Sequence, residues 1–257
     1  MKNYRLTLIR HGITQGNLDG VYLGSGTDEP LCEEGRQQLR ALQAQFVYPQ
    51  PATVFASPLA RALETADILF PEAKNKIILQ DLRENGFGVF EGRKIRELVN
   101  DADFKKWMDP AQHFTPEGGE PLADFHKRCG GVLMSMFEYM MKTGIEEAAC
   151  VTHGGVIMSM LAQRGMPKRR PELWMADQAV AILSSAARRC GCGITSWRCA
   201  RSHPLVTWMR RLDRFCFILC TEKFVQNQTA DGARRRPLFF YINSTKMLFC
   251  KSIPRGV

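Results

Sequence analysis

At 257 residues with 45% hydrophobic side chains, the chain can bury a full core as one large α/β domain or as a domain with an appendage. The apolar run at residues 6–9 is too short for a signal peptide, and no stretch approaches the roughly 18 uncharged apolar residues of a membrane span, so a cytoplasmic protein with reduced cysteines is expected. The net charge of +9 is uneven: residues 1–178 hold 21 Lys and Arg against 23 Asp and Glu, residues 179–257 hold 14 against 3, and six of the nine cysteines lie in the second part, which sets a boundary at 178/179.

Residues 5–9 read as a buried strand that ends in Arg10, His11 and Gly12, so a cation, an imidazole and a permissive backbone position stand at a strand exit. A polar loop over residues 16–31 leads to Glu33, Glu34 and Gly35, and acidic residues ahead of Leu39, Leu42 and Phe46 suit a helix N-terminus. Residues 53–56 form a second short strand. Ser57 and Pro58 then supply an N-cap and a first-turn proline for a helix reaching about residue 70, with Arg61 in its first turn.

Residues 77–79 with Leu82 suggest a third strand, ending in Arg83 and Glu84. Residues 92–121 are mixed and polar and read as short helices and loops. From Leu122 the apolar positions Phe125, Cys129, Val132, Leu133, Met136, Phe137 and Met140 recur at spacings of three and four, the mark of a long amphipathic helix. Residues 148–152 give another buried strand, closed by His153, Gly154 and Gly155 before a helix over residues 156–163. Strands alternating with helices imply a largely parallel sheet covered on both faces.

In such a sheet the strand exits share one edge, so Arg10, His11, Arg61, Glu84 and His153 converge. Guanidinium forks match phosphate oxygens, and a helix N-terminus adds partial positive charge. The histidines lack metal-ligand spacing, so the cluster reads as an anion site, with no metal and no cofactor expected. His113, His126 and His203 are left as surface or packing residues. Arg93, Lys94, Arg96, Lys105 and Lys106 read either as an anionic-substrate rim or as a solvated helix face.

Five motifs in order, Leu8-Ile9-Arg10-His11-Gly12 with Asn17, Ser57-Pro58-Leu59-Ala60-Arg61, Leu82-Arg83-Glu84 with Phe87-Gly88 and Glu91-Gly92, Gly118-Gly119-Glu120, and Thr152-His153-Gly154-Gly155, resemble the histidine phosphatase superfamily over roughly residues 3–178. The resemblance implies a phosphoglycerate mutase-like, three-layer α/β sandwich with a mostly parallel central sheet. It implies His11 as the nucleophile that becomes phosphohistidine, Arg10, Arg61 and His153 as the pocket for the phosphoryl oxygens, Asn17 as an extra donor, and Glu84 as the acid that protonates the leaving oxygen. Glu91 and Glu120 stay open for that acid role.

The region around residues 82–92 resembles the phosphatase branch, and the mutases' long substrate-covering insertion is not evident between Gly92 and Gly118. A metal-independent phosphomonoesterase acting on a small phosphorylated metabolite is therefore expected, with a cofactor-dependent phosphoglycerate mutase as the alternative. A second alternative is an inactive scaffold whose basic tail binds nucleic acid or an acidic membrane surface. The retained His11, Arg61 and His153 argue against it, so neither a nucleic acid nor a membrane is the expected partner. The substrate's identity and the oligomeric state stay open.

Beyond residue 178 the family's usual last strand is expected to be missing, leaving a sheet edge uncovered. The codons of Gln178-Ala179-Val180-Ala181-Ile182-Leu183 permit a shifted reading of Gly-Gly-Gly-Tyr-Thr, the kind of sequence expected there, so a frameshift product is the leading reading of residues 179–257. A zinc site from Cys190, Cys192, Cys199 and His203, or a basic RNA-binding arm, are its rivals.

Overall fold

The computed structural model describes residues 2–45, 48, 50–166 and 171, together with the backbone of 181–188 and 219–223. In chain order the elements are β1 (Lys2–Arg10), α1 (Gln15–Leu18), α2 (Glu33–Gln45), β2 (Thr53–Ala56), α3 (Ala60–Leu69) and β3 (Asn75–Ile78). There follow α4 (Ile95–Leu98), α5 (Ala102–Met108), α6 (Leu122–Thr143), β4 (Glu147–Thr152), α7 (Gly154–Arg164), β5 (Gly165–Met166), β6 (Ala181–Arg188) and β7 (Leu219–Lys223). None of the described helices is long and apolar enough to cross a membrane.

The sheet runs β3-β2-β4-β1-β6-β7-β5. Its first four strands are mutually parallel, and β1 pairs with β4 from Arg5 opposite Glu147 to Arg10 opposite Thr152. This register puts the C-terminal ends of β1 and β4 side by side, so His11 and His153 leave the sheet together. Ser57 leaves β2 beside them, its N–H donating to the Val151 carbonyl at 3.0 Å.

Alternation along β1 divides the core. Leu6 and Leu8 pack with α6 and α7 through Phe125, Leu133, Phe137, Val156 and Met160, while Ile9 packs with α2 and α3 through Leu39, Ala62, Ala66 and Leu69. Each fully buried aliphatic or aromatic side chain contributes roughly 1.5–3 kcal/mol. The three-layer sandwich thus rests on the apolar periodicities of β1, β4 and α6. A smaller aromatic cluster of Phe87, Phe90, Leu98 and Phe104 with Tyr22 and Trp107 stabilises the polar, loop-rich stretch after β3.

Two expectations are corrected. The helix expected from Ser57 starts at Ala60 instead, because Leu59, in extended conformation, is its N-cap and caps with no side-chain bond. The missing last strand is present as backbone: β6 lies antiparallel on β1 from Lys2 opposite Arg188 to Ile9 opposite Ala181, and β7 pairs with β6 in turn. An open edge on β1 presents unpaired N–H and C=O groups that any extended segment can satisfy, whatever its side chains. The expected boundary at 178/179 thus falls between strands of one sheet. Cys190, Cys192, Cys199 and His203 lie outside the described residues.

Candidate active site

Arg10 ends β1, and His11 follows with only 5% of its surface exposed. His11 Nδ1 lies 2.7 Å from the Gly12 carbonyl, which can only accept, so Nδ1 carries the proton and Nε2 keeps its lone pair. Gly12 is tied to α3, its N–H donating to Thr65 Oγ1 at 2.9 Å while the Thr65 hydroxyl donates to the Arg61 carbonyl at 2.6 Å. The Thr65 link was not anticipated. Its only signal was a hydroxyl residue one helical turn after Arg61.

Burial, and then the positive charges of Arg61 and Arg10, pull the His11 imidazole from 6.5 down to about 3. His153 is fully buried and is held well below its usual value by burial, then by His11, Arg61 and Arg10. The two rings face one another with centroids 5.1 Å apart and planes inclined by 58°. His153 Nε2 lies 2.7 Å from Ser57 Oγ, which also accepts the Leu59 N–H at 3.4 Å. The other ring nitrogen of His153, Nδ1, is buried and has no hydrogen-bond partner. Ser57, expected as a cap, is instead the residue that orients His153.

Arg61 is 1% exposed. Its Nη1 donates to the Thr27 carbonyl at 2.6 Å and its Nη2 to the Gly24 carbonyl at 3.0 Å, while Nε is buried without a partner. Burying a charged group costs on the order of several kcal/mol, as much as two or three core side chains contribute. Two neutral carbonyls offset only part of that. The carboxyl groups of Glu84, Asp28, Glu29 and Glu91 favour the charge as well, and the guanidinium is held in place as preorganised electrostatic sites require.

Glu84 completes the group at 8% exposure. Its carboxylate accepts the Asn85 N–H at 2.9 Å and the Gly155 N–H, at the first turn of α7, at 3.0 Å. Burial raises its pKa above the ordinary carboxylate value, with the two N–H groups, Arg61 and Arg10 working against it. A Cβ on Gly155 would run into this carboxylate, and one on Gly154 would come within 3.3 Å of Arg10 Nε. The glycine pair is what lets a cation and the acid approach the start of α7.

The other two carboxylates open for the acid role are engaged elsewhere. Glu91 accepts from the Gly26 N–H (3.2 Å), the Thr27 hydroxyl (3.0 Å) and the Phe87 N–H (2.9 Å). Glu120 pairs with Arg128 through both oxygens at 2.6 Å. Asn17 stands on α1 in a capping box, its Oδ1 accepting the Thr14 N–H at 3.2 Å, which leaves its amide NH2 as a donor. Of the basic residues expected as a rim or a solvated face, Arg93 pairs with Asp101 and Lys106 with Asp103, both at the surface. His126, left as a packing residue, contacts Ser159 between α6 and α7 at 2.7 Å.

Residues 6–197 match the histidine phosphatase superfamily (branch 1). The chain belongs to this superfamily. It is 34% identical to fructose-2,6-bisphosphatase TIGAR B from Danio rerio over 65% of this chain and 63% of that protein. It is 31% identical to adenosylcobalamin/alpha-ribazole phosphatase from Escherichia coli over 68% of this chain and 86% of that protein. The chain thus spans somewhat under two thirds of the TIGAR relative's length. The crystal structure of the alpha-ribazole phosphatase from Shigella flexneri superposes with a TM-score of 0.61 at 28% identity, covering 72% of this chain and 91% of that one. The cluster brings together two imidazoles, two guanidiniums and a carboxyl, and most of its polar atoms are donors, the chemistry that suits an anion.

Proposed function

We propose that this chain is a metal-independent phosphomonoesterase that hydrolyses a small phosphorylated metabolite through a phosphohistidine on His11. The observation that carries the reading is the state of His11: neutral, with Nδ1–H spent on the Gly12 carbonyl and Nε2 free, beside two buried nitrogens that lack partners, Arg61 Nε and His153 Nδ1. With a pKa near 3, essentially every molecule at neutral pH has the imidazole unprotonated, as attack on phosphorus requires.

In the first step His11 Nε2 forms a bond to phosphorus while the bond to the ester oxygen breaks and Glu84 gives its proton to that oxygen. Water then attacks the phosphohistidine, its proton returning to Glu84 and phosphate leaving with His11 restored. Arg10, Arg61 and His153, with Asn17 as a further donor, stabilise charge on the three equatorial oxygens. Relatives named for a fructose bisphosphate and for ribazole phosphate support a small phosphorylated metabolite as the substrate class. The free thiols of Cys32, Cys129 and Cys150 fit a reducing compartment such as the cytoplasm.

Hydrolysis of 4-nitrophenyl phosphate in the presence of EDTA tests the reading, followed by a panel of metabolite phosphates with and without 3-phosphoglycerate as acceptor. Metal-independent release of phosphate to water is expected. Transfer to the acceptor in preference to water would point to a mutase, and no turnover at all would overturn the proposal. We propose separately that residues from about 179 onward stem from a shifted reading frame and add nothing to the site. Resequencing of the gene tests this, and an unbroken frame for all 257 residues would refute it.

A further inference from the structure

All the N–H donors of Arg128, on α6, are spent within one small region. Nε and Nη2 donate to the two oxygens of Glu120, Nη1 donates to the carbonyls of Asp81 (2.8 Å) and Arg83 (2.7 Å), and Nη2 donates again to the carbonyl of Glu84 (2.9 Å). Five such bonds exhaust what a guanidinium can donate. Glu120 closes the clamp from the other side, its main-chain N–H donating to the Gly86 carbonyl at 2.8 Å. The guanidinium also lies over the Phe125 ring, 4.8 Å from its centroid. With its side chain 14% exposed, this is not a solvated surface arginine on an amphipathic helix.

Residues 81–86 form no long element of their own, only a single turn over Gln80–Leu82. The other described side-chain contact that anchors this stretch's carbonyls is Thr152 Oγ1 donating to the Leu82 carbonyl at 2.8 Å. Yet this stretch carries Glu84, whose carboxyl must meet a leaving oxygen within hydrogen-bond distance while the phosphoryl group is held by other elements. A misplacement of about 1 Å in such a group costs about a hundredfold in rate.

We infer that Arg128, locked by Glu120, is a positioning residue for the acid: it fixes the main chain of residues 81–84 to the rigid 22-residue helix α6, and so sets where the Glu84 carboxyl stands. The inference rests on the assignment of Glu84 as the proton donor. Arg128 itself touches no reacting atom. A lysine keeps the charge but cannot reproduce a planar fork that reaches three carbonyls and a carboxylate at once.

The test is a double-mutant cycle read on two leaving groups, 4-nitrophenyl phosphate and glycerol 1-phosphate. Glu84→Gln should slow the alkyl ester far more than the nitrophenyl ester. Arg128→Lys should reproduce that preference, losing about tenfold more on the alkyl ester, and should add less than about twofold in the Glu84→Gln background, since both act through one carboxyl. Equal losses on both esters, or losses that multiply in the double variant, would overturn the inference while leaving Glu84 as the acid. Absence of any leaving-group preference in Glu84→Gln would remove the acid assignment and this inference with it. If Arg128→Lys loses its cooperative thermal transition, Glu120→Gln carries the same comparison, because it weakens the clamp without removing the bonds to the carbonyls. A preference of about threefold on the alkyl ester is then expected, and uniform loss would again contradict the positioning role.

Discussion

His11 and His153 each follow directly on the last registered pair of two adjacent parallel strands, Arg10 opposite Thr152, and their rings meet at a centroid distance of 5.1 Å with both side chains buried. Two protonated imidazoles at that separation, beside Arg61 and Arg10, would repel strongly in a buried setting, so the folded protein keeps them neutral. The same burial that keeps both rings neutral therefore makes folding sensitive to acid.

The sign of that sensitivity follows from proton counts. Between pH 6.5 and about 3 the unfolded chain carries a proton on His11 that the folded chain does not, so stability falls as pH falls through this window. A full proton difference corresponds to a slope of about 1.4 kcal/mol per pH unit. Denaturant unfolding of wild type and His11→Ala between pH 4.5 and 6.5 should show the variant's slope lower by up to that amount. Identical slopes would mean His11 is protonated in the folded state.

Glu84 works in the opposite direction. Burial raises its pKa, and with Glu84 as the proposed acid its proton, and with it the donor, is lost as pH rises. The rate ratio of an alkyl phosphate to nitrophenyl phosphate is read above the second ionisation of both esters, so that the ionisation of the phosphate itself does not enter. That ratio should fall with rising pH in wild type and be flat in Glu84→Gln. A flat ratio in wild type would assign the acid role elsewhere.

Glu91 acts through a loop. Three donors, two of them from Gly26 and Thr27, converge on its carboxylate, and this loop supplies the Gly24 and Thr27 carbonyls that seat Arg61. Glutamine offers one acceptor oxygen in place of two. Glu91→Gln should weaken competitive inhibition by inorganic phosphate about tenfold, with a smaller loss of kcat and no change in leaving-group preference. A selective loss on alkyl esters would instead make Glu91 part of proton transfer.

Much of the front of the fold was legible because β1, β4 and α6 carry clear apolar periods, and the site was legible because parallel strands bring their exits to one edge. What escaped lacked a local signal. The helix α1 is four residues long, too short for a period to develop. Ser57-Pro58 has the composition of a helix start, and only tertiary contact with His153, 96 residues away, gives the hydroxyl its actual task. β6 is built of small residues whose pairing with β1 depends on main-chain groups, which composition does not reveal. Arg128 falls on a helix whose charged residues ordinarily face water, and its partners sit some 45 residues earlier in a loop.

The central claim is a covalent one, and the most direct measurement is rapid acid-free quenching of the enzyme during turnover of a phosphate ester labelled on phosphorus, followed by peptide mapping. Label retained in alkali, lost in acid and located on His11, with none in His11→Ala and no turnover by that variant, is the predicted result. Turnover by His11→Ala at the wild-type rate, or label on any other residue, would contradict the account.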